Sequence, residues 1–200
     1  MLLTIADLQN LQPPLRSSRF QSLQERLQFA IRQQQIGLPI QPLLESDSTL
    51  KSLVKQVQRS LPNTLQSGKQ LKLHHPISAR LVDQVYVQIE INVGFHQRIP
   101  KLFEWAIRDP ELNWCDQIKL WATTQHYEAD PNQVKLIVLA LHPNRRVKKV
   151  MHCWDRSQHE MTRQALLAQL NAQPSSESAV SVSQSSIDLI DLDSIREVVL

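Results

Sequence analysis

Two hundred residues, 42% of them hydrophobic, provide for one domain with a core of ordinary size. Three glycines, Gly37, Gly68 and Gly94, are too few and too scattered to build a phosphate-cradling loop, which excludes the commonest nucleotide-binding enzymes. The formal charge of +3 is unevenly spread: from Asn171 onward five acids face Arg196 alone, leaving 21 basic and 14 acidic residues in the body, a distribution that permits polyanion binding.

Residues 1–17, broken by Pro13 and Pro14, read as an N-terminal extension. They carry no basic leader followed by a long apolar stretch. No window of the chain approaches the roughly 18 apolar residues of a membrane helix, so the expectation is a cytoplasmic protein without a membrane span. Ser18 is placed to cap a helix whose Phe20, Leu23, Leu27, Ala30 and Ile31 share one face, ended by Gly37 and Pro39. Asp47 or Ser48 opens a second helix with Leu50, Leu53, Val54, Val57 and Leu61 at three- and four-residue steps, stopped by Pro62. Leu71 to Leu73 predicts a short strand leading to His74 and His75, which as strand neighbours point to opposite sides and cannot share an ion.

From Ala79 to Phe95 the apolar residues keep one parity and the polar residues the other, with Gln88, Glu90 and Asn92 on the polar side. The pattern predicts one long strand, or two joined by a tight bend near Asp83. Gly94 is expected to close it, Pro100 to open a helix over LFEWAI, and Asp109, Pro110 and Glu111 to restart a helix running to about Tyr127. VKLIVLALH is a continuous apolar run of the kind found in strands covered on both faces. Pro143 and Asn144 then make a turn into a paired strand ending VMHCW, and Asp155 with Gln158 forms a capping-box pattern for the last helix. Residues 18–170 thus form one domain, 171–186 read as a disordered linker, and 187–200 as an acidic amphipathic peptide. The fold class is α/β, with a central mixed sheet of about four to five strands flanked by helices.

Cys115 and Cys153 lack a CxxC partner and read as two reduced thiols, and neither GxSxG nor HExxH occurs. Glu104, Asp109, Glu111 and Asp116 cluster by number, but two of them are explained as helix-start residues. Arg145, Arg146, Lys148 and Lys149 gather at one turn, where they would contact phosphates or simply keep a sheet edge solvated.

The runs ISARLVDQV, YVQIEINVG, CDQIKLWATTQHYEADPNQVKLIVLALHP and VKKVMHCWD, spanning Ile77 to Leu170, resemble the core of RecB-like nucleases of the PD-(D/E)XK superfamily. That family carries an acid on one strand, an acid-x-Lys trio on the next, then a helix with a Gln and an aromatic residue, then an apolar strand. The resemblance implies a restriction-endonuclease-like core with Asp83 and Glu90 as ligands of Mg²⁺, and Gln117 or Gln125 as the helix glutamine. The lysine of the trio falls on Asn92, with Lys101 or Lys119 available to replace it.

Two functional expectations follow. One is a nucleic-acid-associated protein with a degenerate nuclease-like domain, Mg²⁺-dependent if it is still an enzyme. The other is an interaction module that recruits a protein partner through residues 187–200.

Overall fold

The computed structural model describes residues 2–4, 21–61 and 71–172. In chain order the elements are β1 (Leu2–Thr4), α1 (Gln21–Gln35), α2 (Gln41–Ser46), α3 (Ser48–Ser60), β2 (Lys72–Val82), β3 (Val85–His96), β4 (Ile99–Ala106), α4 (Trp114–His126), a 3₁₀ turn (Pro131–Gln133), β5 (Lys135–Ala140), β6 (Lys148–Cys153) and α5 (Arg156–Ala172). The strands form one mixed sheet, with β2 and β3, β3 and β4, and β5 and β6 antiparallel and β4 and β5 parallel. The expected α/β architecture is present. No helix among the described residues is long and apolar enough to cross a membrane.

Each face of the sheet is covered by helices because its strands carry apolar residues on both sides. On one face α1 and α3 bury Leu27, Ile31, Leu50, Leu53, Val54 and Val57 against Phe103, Trp105, Ile137 and Leu139. On the other, α4 and α5 bury Ile118, Trp121 and Leu166 against Ile77, Val87, Ile91, Leu102 and Leu136. The caps fix where the helices begin. Asp47 accepts the Leu50 amide of α3 at 2.9 Å, and Asp155 and Gln158 exchange side-chain bonds at the head of α5.

Of the two readings of the alternating run, the second is observed: two strands, with Asp83 and Gln84 as the turn between them. Four other expectations are corrected. Gly94 lies inside β3 rather than closing it, and its missing Cβ matters because the Phe103 ring would stand 3.2 Å from one. LFEWAI is not helical: it belongs to β4, reached through a turn in which Gln97 and Arg98 both have positive φ. The helix expected to restart at Asp109 begins at Trp114, capped by Asn113 in a reciprocal box with Asp116. Leu2–Thr4, assigned to an extension, are a strand parallel to β3. Within 171–186 only Asn171 and Ala172 are described, as the end of α5. The rest of that segment and the 187–200 peptide lie outside the described residues.

Candidate functional site: a fork between two strands

Strand β3 has β2 along one edge and two partners on the other. Near its end Val93–His96 pair with Ile99–Leu102 of β4, and near its start Tyr86–Gln88 pair with Leu2–Thr4 of β1. Between these blocks β3 and β4 diverge: their ladder stops at the Val93–Leu102 pair, while the other edge of β4 keeps β5 from Lys101 to Ala106. The gap is a fork whose apex is the Val93–Leu102 pair, and β1 stands in its mouth. A cleft of about 440 Å³ occupies it.

Both faces of the sheet contribute to the cleft. From β3 come Gln88, Glu90 and Asn92, and α1 adds Gln28. Leu102 faces the α4 side together with Val93, so Glu104, two residues on, faces that side too. There it meets Lys119 of α4, the two charged groups 2.5 Å apart and their side chains only 10% and 19% exposed. Burial by itself pulls the Lys119 ammonium down, but the Glu104 carboxylate against it outweighs that and holds the ammonium above its ordinary value. The two form a buried ion pair.

Asn92 is a structural link at the apex. A register shift between Lys72 and His75 takes the His74 amide out of the ladder, and His74 has a positive φ. That amide donates to Asn92 Oδ1 at 3.1 Å, while Asn92 Nδ2 donates to the Phe103 carbonyl at 3.2 Å. One side chain thus ties β2, β3 and β4 together. Nearby, Glu90 Oε2 lies 3.1 Å from His74 Nδ1.

The structure does not bring together the two acids expected to share Mg²⁺. Asp83 is exposed at the tip of the β2–β3 hairpin, whereas Glu90 lies opposite Pro76, about 17 Å along β3 from Val85 at ~3.3 Å per residue. A turn is present, but a two-residue turn juxtaposes Val82 and Val85, not Asp83 and Glu90. Among the described residues no group of three or more His, Cys, Asp or Glu is placed to hold a metal ion. The residues therefore do not fit the Mg²⁺ centre that the resemblance implies. Asn92 cannot act in place of a lysine while both ends of its amide are engaged. Gln117 is two residues from Lys119, about 200° around α4 at ~100° per residue, and does not line the fork. Gln125 bonds His159 instead. Lys101 does not line the fork either, and Lys119 is the lysine that reaches it.

Glu104 is the residue that sequence reasoning missed, because it was assigned to a helix. The one available signal was its place in a strand-length apolar run, LFEWAI, which a helix and a doubly buried strand share.

A second cleft of about 230 Å³ lies at the C-terminal ends of the parallel strands β4 and β5, the end of the sheet toward which the fork opens. Arg108, His142, Arg145, Arg146 and Lys148 line it. Arg108 is engaged with buried Asp116 and two backbone carbonyls. Arg145, Arg146 and Lys148 are exposed and have no ion-pair partner among the described residues. Three of the four cations expected to gather at this turn thus share one concave surface. Lys149 is turned to the opposite face, where its ammonium lies 3.5 Å from the Ser60 carbonyl.

No protein-family model and no curated protein matches the chain. Among solved structures the crystal structure of SSO0001 is similar to it at a TM-score of 0.42 and 11% identity, over 87% of this chain and 77% of that one.

Proposed function

We propose that this chain binds nucleic acid through the cleft formed by Arg145, Arg146 and Lys148, on a nuclease-like scaffold whose former metal centre no longer cuts. The observation that carries the reading is the basic cleft itself: three cations with no ion-pair partner among the described residues, on one concave surface at the end of the sheet where the fork opens. The element order supports the scaffold. An acid-bearing strand (β3, Glu90) is followed by a second (β4, Glu104), then a helix with glutamines and Trp121 (α4), then the apolar strand β5. In this alignment each acid sits one strand later than the sequence suggested. The position two after Glu104 is buried Ala106, and Lys119 reaches Glu104 from the helix instead.

Loss of cleavage follows from the charges. Glu104 is neutralised by Lys119, and Glu90 is paired with His74 on the other face of the sheet. A divalent cation would have to displace an ammonium to reach Glu104.

Anisotropy titration with a fluorescein-labelled DNA duplex tests the reading. Three phosphate contacts predict that affinity falls about 40-fold between 50 and 200 mM salt. Arg145→Ala with Arg146→Ala should remove most of that dependence. Absence of binding at 50 mM salt would end the nucleic-acid reading. Plasmid nicking in Mg²⁺ or Mn²⁺ that Glu104→Gln abolishes would refute the loss of cleavage.

A further inference from the structure

We infer that the fork between β3 and β4 holds an unpaired nucleobase bearing an exocyclic amine, adenine or cytosine, read by the amides of Gln28 and Gln88. The inference rests on the nucleic-acid reading above and says what the fork does in it. Its volume of about 440 Å³ is in the range of small-molecule sites, ~300–1,000 Å³. Its charge is wrong for a phosphate: two carboxylates, Glu90 and Glu104, line it, and the Lys119 ammonium is already taken up by Glu104. Such a lining disfavours an anionic group and favours one that offers N–H donors.

The lining matches such a group. Gln28 and Gln88 enter from α1 and β3, half-buried, and neither side chain has a hydrogen-bond partner among the described residues. A free amide presents a donor and an acceptor side by side, the pattern that pairs with a base edge. Glu90, two residues from Gln88 on the same face of β3, supplies an acceptor for an exocyclic amine. One step further along that row Tyr86 is 41% exposed and offers a ring on which a neighbouring base stacks. The basic cleft lies at the same end of the sheet. Phosphates are therefore held outside by Arg145, Arg146 and Lys148 while one base enters the fork, which requires a single strand or an unstacked base.

The test titrates the full chain with three labelled decamers: oligo-dA, oligo-dT and a chain of ten abasic sites that keeps the phosphates and has no bases. Oligo-dA should bind about tenfold tighter than the abasic chain. Gln88→Leu and Gln28→Leu should each bring oligo-dA toward the abasic affinity without changing the abasic affinity. Equal affinities for oligo-dA and the abasic chain would overturn the inference and leave phosphate binding standing. An affinity for oligo-dT equal to or above that for oligo-dA would overturn the amine preference, and with it this reading of the fork. Glutamine variants that weaken both chains alike would show a structural role and overturn it as well. Binding of none of the three would remove the nucleic-acid reading and this one together.

Discussion

Asn92 shows how one residue can mislead and then explain. The sequence resemblance puts it where a nuclease-like trio would carry lysine, yet its amide is used at both ends, by the His74 amide and the Phe103 carbonyl. Replacing it with lysine would leave a half-buried donor and an acceptor unmatched. Asn92→Lys and Asn92→Ala should each lose about 1–3 kcal/mol in urea unfolding, with the fork apex loosened. A variant as stable as the wild type would show that the link is dispensable. The Glu104–Lys119 pair makes the complementary case. Lys119→Met strands a buried carboxylate and should cost about 3 kcal/mol, whereas Glu104→Gln combined with Lys119→Met should cost clearly less. A loss in the double variant equal to the sum of the Lys119→Met and Glu104→Gln losses would show that the pair is not coupled. Neither Asn92's bonds nor Glu104's partner was legible in the sequence, because both depend on contacts between residues 11 to 18 positions apart or on different elements.

At the level of elements, the helices with strong periodicity and caps were readable and the β2–β3–β4 meander was not. Two details hid it. A bulge at Leu81 shifts the register between Arg80 and Val82, so odd-numbered residues stay on the buried face in both β2 and β3. The alternation therefore runs through the turn without a break, and one strand and two give the same pattern. The β3–β4 turn uses Gln97 and Arg98 at positive φ, where Asn-Gly is the usual signal, and β4 is buried on both faces, so it shows no alternation. The α4–α5 layer carries its own testable property. His159 of α5 stacks at 6.3 Å on Trp121, has Trp154 edge-on, and has Gln125 at 2.9 Å. Burial there pushes its imidazole below the ordinary value, with Arg163 adding to the effect and Glu160 opposing it. His75 of β2 is lowered as well, by burial and by Lys72 and His126. A lowered histidine stabilises the fold fully above its unfolded value and loses that contribution as pH falls through it, ~6.5. The urea midpoint should therefore drop between pH 7.5 and 5.5, above the main carboxylate range, and His159→Gln should reduce the drop, leaving the share of His75. An unchanged midpoint over that interval would contradict the assignment.

For the molecule as a whole, the sequence conveyed the class of fold and the concentration of positive charge, since both depend on composition and periodicity. The fork was hidden because it arises from a strand changing partners, which no local pattern records. The charge asymmetry has a consequence of its own. The segment after Ala172 carries Glu177, Asp188, Asp191, Asp193 and Glu197 against Arg196. If these acids compete with phosphates for the basic cleft, the competition is electrostatic and is screened by salt. Removing residues 173–200 should tighten DNA binding several-fold at 50 mM salt and change little at 200 mM. Equal affinities for the full and shortened chains at low salt would rule such competition out.

The placement of β1 bears on how any of this is measured. Leu2–Thr4 run parallel to β3 with Leu2 beside Tyr86, at the outer lip of the fork. A purification handle fused ahead of Leu2 would emerge at that lip, and a polyhistidine handle would bring its own cations to the place where the proposed oligonucleotide would enter. Titrations on protein carrying such a leader would report the handle as much as the domain, so the handle should be cleaved off before binding is scored.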